Sequence, residues 1–176
     1  MKIDIALAKK ILRIVLIAAM IVTVAFIFSN SMKSKEESAA DSSTVGNIIA
    51  EIIPPDTTLG AAIQKNLRKR AHFTEFGALG IEVALYIWLF CDKRLKTSLL
   101  SAFIGFGVGF LDETIQIFFD RGAAIGDVWI DGGGFIFFSA IAHCVLFLAA
   151  LVIRRVAVRK KAKEVPINGE EEKKNG

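Results

Sequence analysis

Long apolar runs alternate with polar stretches along this chain, and the runs are too long for the core of a small soluble domain. They cover about 11–28 (ILRIVLIAAMIVTVAFIF), 71–91, 98–118 and 128–153. A helix needs ~18 or more such residues to cross a bilayer. The pattern predicts an all-α fold, a four-transmembrane-helix bundle. Two connections are short, DKRLKT and DRGAAIGD. The third, 29–70, is long and polar, and two amphipathic segments stand out in it. One runs from Ser42 to Ile53 and stops at Pro54 and Pro55. The other follows Asp56, a plausible N-cap, through Leu59, Ile63 and Leu67. Both fit short surface helices lying apolar face down on the membrane. Residues 1–10 form a short N-terminal segment. Residues 154–176 form a charged tail whose composition predicts disorder.

Composition supports the membrane reading. The chain has 176 residues, 53% of them hydrophobic, with a mean hydropathy of +0.51. Lys9, Lys10 and Arg13 open the first run, as in a signal peptide. Its apolar core is long, however, and SNSMKSK follows it rather than a small-residue cleavage site, so an uncleaved span is expected. The formal charge of +4 is no nucleic-acid signal, because the cations sit at the ends of spans. Cys91 and Cys144 both lie inside apolar runs, with neither a CxxC nor the spacing of a zinc site.

Lysine and arginine placement predicts orientation. Of 22 such residues, the side holding both termini and the 92–97 turn carries 15: four at the first span, three in the turn and eight in the tail. The opposite side carries six in the 29–70 loop, plus Arg121. Both termini are therefore expected to be cytoplasmic, in a multi-pass protein of the cell membrane, with the long loop outside.

On this topology the ionisable residues converge. His72 and Glu75 start the second span. Asp112, Glu113 and Gln116 lie near the end of the third. Arg121 and Asp127 flank the start of the fourth, and Asp131 lies one turn in. At about 100° per residue, His72, Glu75, Leu79 and Glu82 form one stripe, Asp112 and Gln116 share a face, and Asp127, Asp131 and Gly134 form a third. Gly105 and Gly109 lie near the Asp112 face and permit close helix approach. Adjacent Asp112 and Glu113 point about 100° apart, so they are not expected to face one partner fully. Each intramembrane charge costs ~2.5–3.5 kcal/mol on insertion scales, so such a cluster must pair or line a wet cavity. Two readings follow. Arg68, Lys69, Arg70 and Arg121 could neutralise the carboxylates in a structural salt-bridge network. Alternatively, the set serves acid–base chemistry or phosphate recognition, with His72 as proton shuttle and Arg121 as anion binder. Two carboxylates and a His also suit a divalent cation. No short metal motif accompanies them, and neither metal nor cofactor is expected. Glu82 and His143 lie deeper and read as helix-contact residues. Trp88 and Trp129 read as anchors at opposite interfaces.

The segments LRKRAHFTEFGALG and DETIQIFFDRGAAIGD, followed by Asp131 and Gly134, resemble the VanZ-like family of integral membrane proteins. The family pattern matches Arg68, Lys69, His72, Glu75, Asp112, Glu113, Gln116, Arg121 and Asp127, and FSNS after the first span places Ser29 at a family serine. The resemblance covers about 11–153. Two positions depart from it: Asp131 stands where Asn is usual, adding a carboxylate, and Phe138 stands where a second Gly is frequent, filling space at a helix interface. The resemblance implies a link to teicoplanin and related lipoglycopeptides, which act at the outer membrane surface on a lipid-linked precursor. It leaves open whether a reaction is catalysed. On this reading His72, Glu75, Asp112 and Glu113 are candidate catalytic residues. Arg68, Lys69, Gln116, Arg121, Asp127 and Asp131 are candidate binding residues. The expected partner is a membrane lipid or a lipid-linked anionic headgroup.

Overall fold

The computed structural model describes residues 5–64, 66–119, 121, 122 and 124–164, and all regular structure among them is helical. The elements are α1 (Ile5–Ser31), α2 (Lys35–Ile52), α3 (Thr58–Gln64), α4 (Leu67–Phe90), α5 (Arg94–Phe118) and α6 (Ile125–Glu164). Four of them, α1, α4, α5 and α6, are long and apolar enough to cross a membrane. The chain is a multi-pass membrane protein. Large apolar side chains such as Ile21, Phe103, Phe110 and Val152 are exposed along these helices, as lipid-facing residues must be.

The connection between α1 and α4 folds into two helices. The first begins earlier than the amphipathic pattern indicated. Ser34 caps α2, accepting from the Glu37 N–H while the Glu37 side chain accepts from the Ser34 N–H. α2 ends just before Pro54, whose ring disfavours helical backbone in the preceding residue. Thr57, rather than Asp56, serves the start of α3 by accepting from the Gly60 N–H. Leu67 belongs to α4, not to the surface segment.

The core is small: Ile27, Phe76, Leu79 and Phe135, with Met20, Val24 and Val83 packed against it. Glycines bring the backbones together. A Cβ at Gly80 would overlap the Phe135 carbonyl of α6, and one at Gly134 would overlap the Phe73 carbonyl of α4. Phe138 lies against Gly77, so the extra ring is accommodated by a glycine on the facing helix. Without a hydrophobic drive between helices in lipid, close backbone contact of this kind supplies much of the attraction.

At one end of the bundle Arg13 Nε donates to Tyr86 Oη at 2.9 Å, Arg94 stacks over Trp88, and His143 pairs with Ser98 Oγ and the Ser139 carbonyl. Glu82 accepts from Thr23 Oγ1 at 2.9 Å. Both deeper residues are thus helix contacts. At 40 residues α6 is ~60 Å long, about twice the hydrocarbon thickness. It continues as helix beyond Ile153 through Arg154, Arg155 and Arg159. The charged tail therefore starts as helix, and its remainder, 165–176, lies outside the described residues.

Candidate functional site

The opposite end of the bundle gathers the polar residues. Gly109 on α5 sets the approach of α6 there, since a Cβ would lie 3.1 Å from that of Asp131. The Gly134–Phe73 contact draws α4 against α6 one turn deeper. His72, Asp112 and Asp131 consequently face one another from three helices.

Half of the site is a closed hydrogen-bond network. Ser31 on α1 donates to Asp112 Oδ1. Gln116 Nε2 donates to Asp112 Oδ2 at 3.0 Å and to Glu113 Oε1 at 2.9 Å. This corrects the expectation for the adjacent carboxylates. An amide one turn on has two N–H groups and reaches both. Gln116 Oε1 accepts from Arg68. Glu113 Oε2 accepts from the Ala124 N–H at 3.0 Å, placing a carboxylate at the start of α6. Asp112, Glu113 and Gln116 are all buried.

The other half has buried polar atoms that, among the described residues, make no hydrogen bond. Asp131 is 0% exposed, yet neither carboxylate oxygen accepts a hydrogen bond. His72 Nδ1 lies 3.5 Å from both Asp112 Oδ2 and Asp131 Oδ1, without a hydrogen bond to either. Glu75 accepts from Asn30 through Oε1, leaving Oε2 unpaired. These residues line cavities. One of ≈ 320 Å³ has Arg68, Lys69, His72, Asp127 and Asp131 in its wall. A second, of ≈ 800 Å³, lies under α2 and has Asn30, Ser38, Arg68, His72, Glu75 and Arg121 in its wall. His72 and Arg68 belong to both.

Among the described residues the cations form a single lysine or arginine salt bridge at the site, short of the dense network of the structural reading. Lys69 pairs with Asp127 at 3.1 Å. Arg70 donates to the Ala62 carbonyl. Arg121 is buried and donates to the Asn30 carbonyl at 2.7 Å and to Ser38 Oγ at 3.1 Å, so it satisfies the end of α1 and ties α2 to it. Burial, together with the neighbouring Arg68 charge, pushes its guanidinium below the ordinary arginine value, against the pull of Asp112, Glu113 and Glu75. Arg68 and Lys69 remain as the cations of the smaller cavity.

All ten candidate residues thus lie at this one end of the bundle. Three others escaped the sequence reading: Asn30, Ser31 and Ser38. Ser29 faces away, is exposed, and bonds back to the Phe26 carbonyl. The usable signal was helical register, because Ser31 lies four residues after the buried core residue Ile27 and shares its face.

A family model, VanZ/LLP1, matches residues 14–149. That match runs from within α1 to a point past the middle of α6 and includes every residue of the site. No curated protein and no solved structure matches the chain.

Proposed function

The chain belongs to the VanZ/LLP1 family, and from that premise we propose that its interfacial site receives the anionic headgroup of an envelope lipid or lipid-linked precursor at the outer membrane surface. The observation that carries this reading is the division of the site. A structural plug would hydrogen-bond its buried polar atoms throughout. Here Asp112, Glu113 and Gln116 are paired, while Asp131, His72 Nδ1 and Glu75 Oε2 border cavities beside Arg68 and Lys69. A buried carboxylate that accepts no hydrogen bond is expensive, and a ligand donor offsets that cost.

In this reading Lys69 and Arg68 attract the anion, Arg68 by its planar fork. His72, Glu75 and Asp131 meet the polar groups next to it. Asp112, Glu113, Gln116 and Arg121 hold the walls. Asp127 restrains Lys69. Outward orientation is supported by the Lys and Arg excess on the side of the termini. A headgroup held at that level would bear on lipoglycopeptides such as teicoplanin, whose target is lipid-linked at the same surface. His72 with Glu75 is the pair that acid–base chemistry on the headgroup would use. Glu113 is less suited, since both its oxygens are occupied.

The test is thermal unfolding in nanodiscs of phosphatidylcholine with and without phosphatidylglycerol. The anionic lipid raises the Tm of wild type, and the rise is largely lost in the Arg68→Gln/Lys69→Gln variant. An equal rise in that variant contradicts the reading.

A further inference from the structure

The spacing of His72, Asp112 and Asp131 goes beyond headgroup recognition and does not depend on it. Each residue offers one ligand atom, and the three atoms lie within 4.8 Å of one another. Two of the separations, from His72 Nδ1 to an oxygen of each aspartate, are 3.5 Å. A charge-assisted hydrogen bond from an imidazolium would be about 2.7–2.9 Å. Two ligands on one tetrahedral ion at ~2.1 Å stand about 3.4 Å apart. The observed spacing is longer than that hydrogen bond and matches a coordination edge, while still lying within ion-pair range.

Partners around the three residues agree with this. Asp112 is oriented by Ser31 and Gln116, the hydrogen-bonded support that metal-bound carboxylates generally carry. Asp131 is fully buried, neither of its carboxylate oxygens accepts a hydrogen bond, and one of them faces His72 Nδ1 at 3.5 Å. Among the described residues no lysine or arginine forms an ion pair with Asp112 or Asp131. Metal ligation takes the deprotonated forms, and two carboxylates with a neutral imidazole would present a charge that one divalent ion cancels. His72 and Asp131 also line the ≈ 320 Å³ cavity, so a fourth coordination position there is open to water or to an anionic oxygen.

We infer that His72 Nδ1, Asp112 and Asp131 form a binding site for a divalent first-row metal ion. One imidazole nitrogen with two carboxylate oxygens suits Zn²⁺ or Mn²⁺ better than a thiolate-seeking or an all-oxygen ion. The sequence offered no short motif because the ligands come from three helices, 40 and 19 residues apart.

The experiment is metal loading of the full chain, purified in detergent, stripped with chelator, incubated with Zn²⁺ or Mn²⁺ and passed over gel filtration. Mass spectrometry of the eluate counts bound ions, and Mn²⁺ electron paramagnetic resonance reports their ligation. One ion per chain is expected in wild type and in Ser29→Ala, whose hydroxyl is exposed and bonds only to its own helix. Asp131→Asn and His72→Gln, eluting like wild type, should bind at least tenfold more weakly. Gln116→Leu should weaken binding about 10–100-fold by releasing Asp112. If a ligand variant does not fold, wild type decides alone through stoichiometry and a rise in Tm on metal addition. Wild type with no bound ion and no rise overturns the site, as does equal binding by a folded Asp131→Asn. Neither result touches the phosphatidylglycerol response, so the two readings fail separately.

Discussion

Ser31 near the end of α1 donates to Asp112 in the last third of α5, across 81 positions of sequence, and both residues are fully buried. Removing the hydroxyl leaves a buried carboxylate short of a donor. Ser31→Ala should therefore lose about 1–3 kcal/mol of stability. Ser29→Ala, two residues away and bonded only to its own helix, should change it by less than ~0.5 kcal/mol. Unfolding of the two variants in detergent gives the comparison. Equal losses would mean that the register of α1 is wrong.

Gln116 is the hub of the paired half, with three partners on its one amide. Gln116→Leu should be more damaging than loss of any single partner, because Asp112, Glu113 and Arg68 all lose a bond. A double-mutant cycle with Glu113→Gln should give a coupling of about 0.5–3 kcal/mol. Additive effects would show that the amide does not join the two carboxylates.

Much of this was legible in the sequence, and the remainder failed for identifiable reasons. The four spans follow from apolar length alone. The end of α2 follows from Pro54. The convergence of His72, Asp112 and Asp131 on one layer follows from topology and helical period. Pairing within that layer does not. Asp112 and Glu113 diverge at the backbone, but the Gln116 side chain bridges the divergence. Arg121 offered an anion binder by residue type, whereas the fold commits its donors to the end of α1 and to Ser38. Ser29 and Ser31 are equivalent by composition and differ only in the face they occupy.

Glycine contacts make a graded prediction. Gly80→Ala and Gly134→Ala place a methyl group into a facing backbone carbonyl, so each should cost about 1–3 kcal/mol and shift α6 away from α4. Gly107→Ala and Gly133→Ala meet nothing within 4 Å. They should be neutral or stabilising by up to ~1 kcal/mol through helix propensity. Thermal unfolding of the four variants tests the packing, and a uniform response would contradict it.

Lys69 separates binding from stability. Its pairing with Asp127 is half-exposed, at 53% for the lysine side chain, so Lys69→Gln should change stability by only ~0–1 kcal/mol. The same substitution should weaken retention of an anionic lipid, and added salt should narrow the difference from wild type. Unchanged lipid retention at low salt would remove Lys69 from the site.

The most direct test of the central claim is to extract the protein from its own membrane and weigh what stays bound. Native mass spectrometry of wild type should show one anionic lipid or lipid-linked species per chain, depleted in Arg68→Gln and replaced by nothing of the same class. A wild-type protein that carries only the bulk lipid mixture, in the same proportions as Arg68→Gln, would contradict the headgroup site and leave the cluster a structural network.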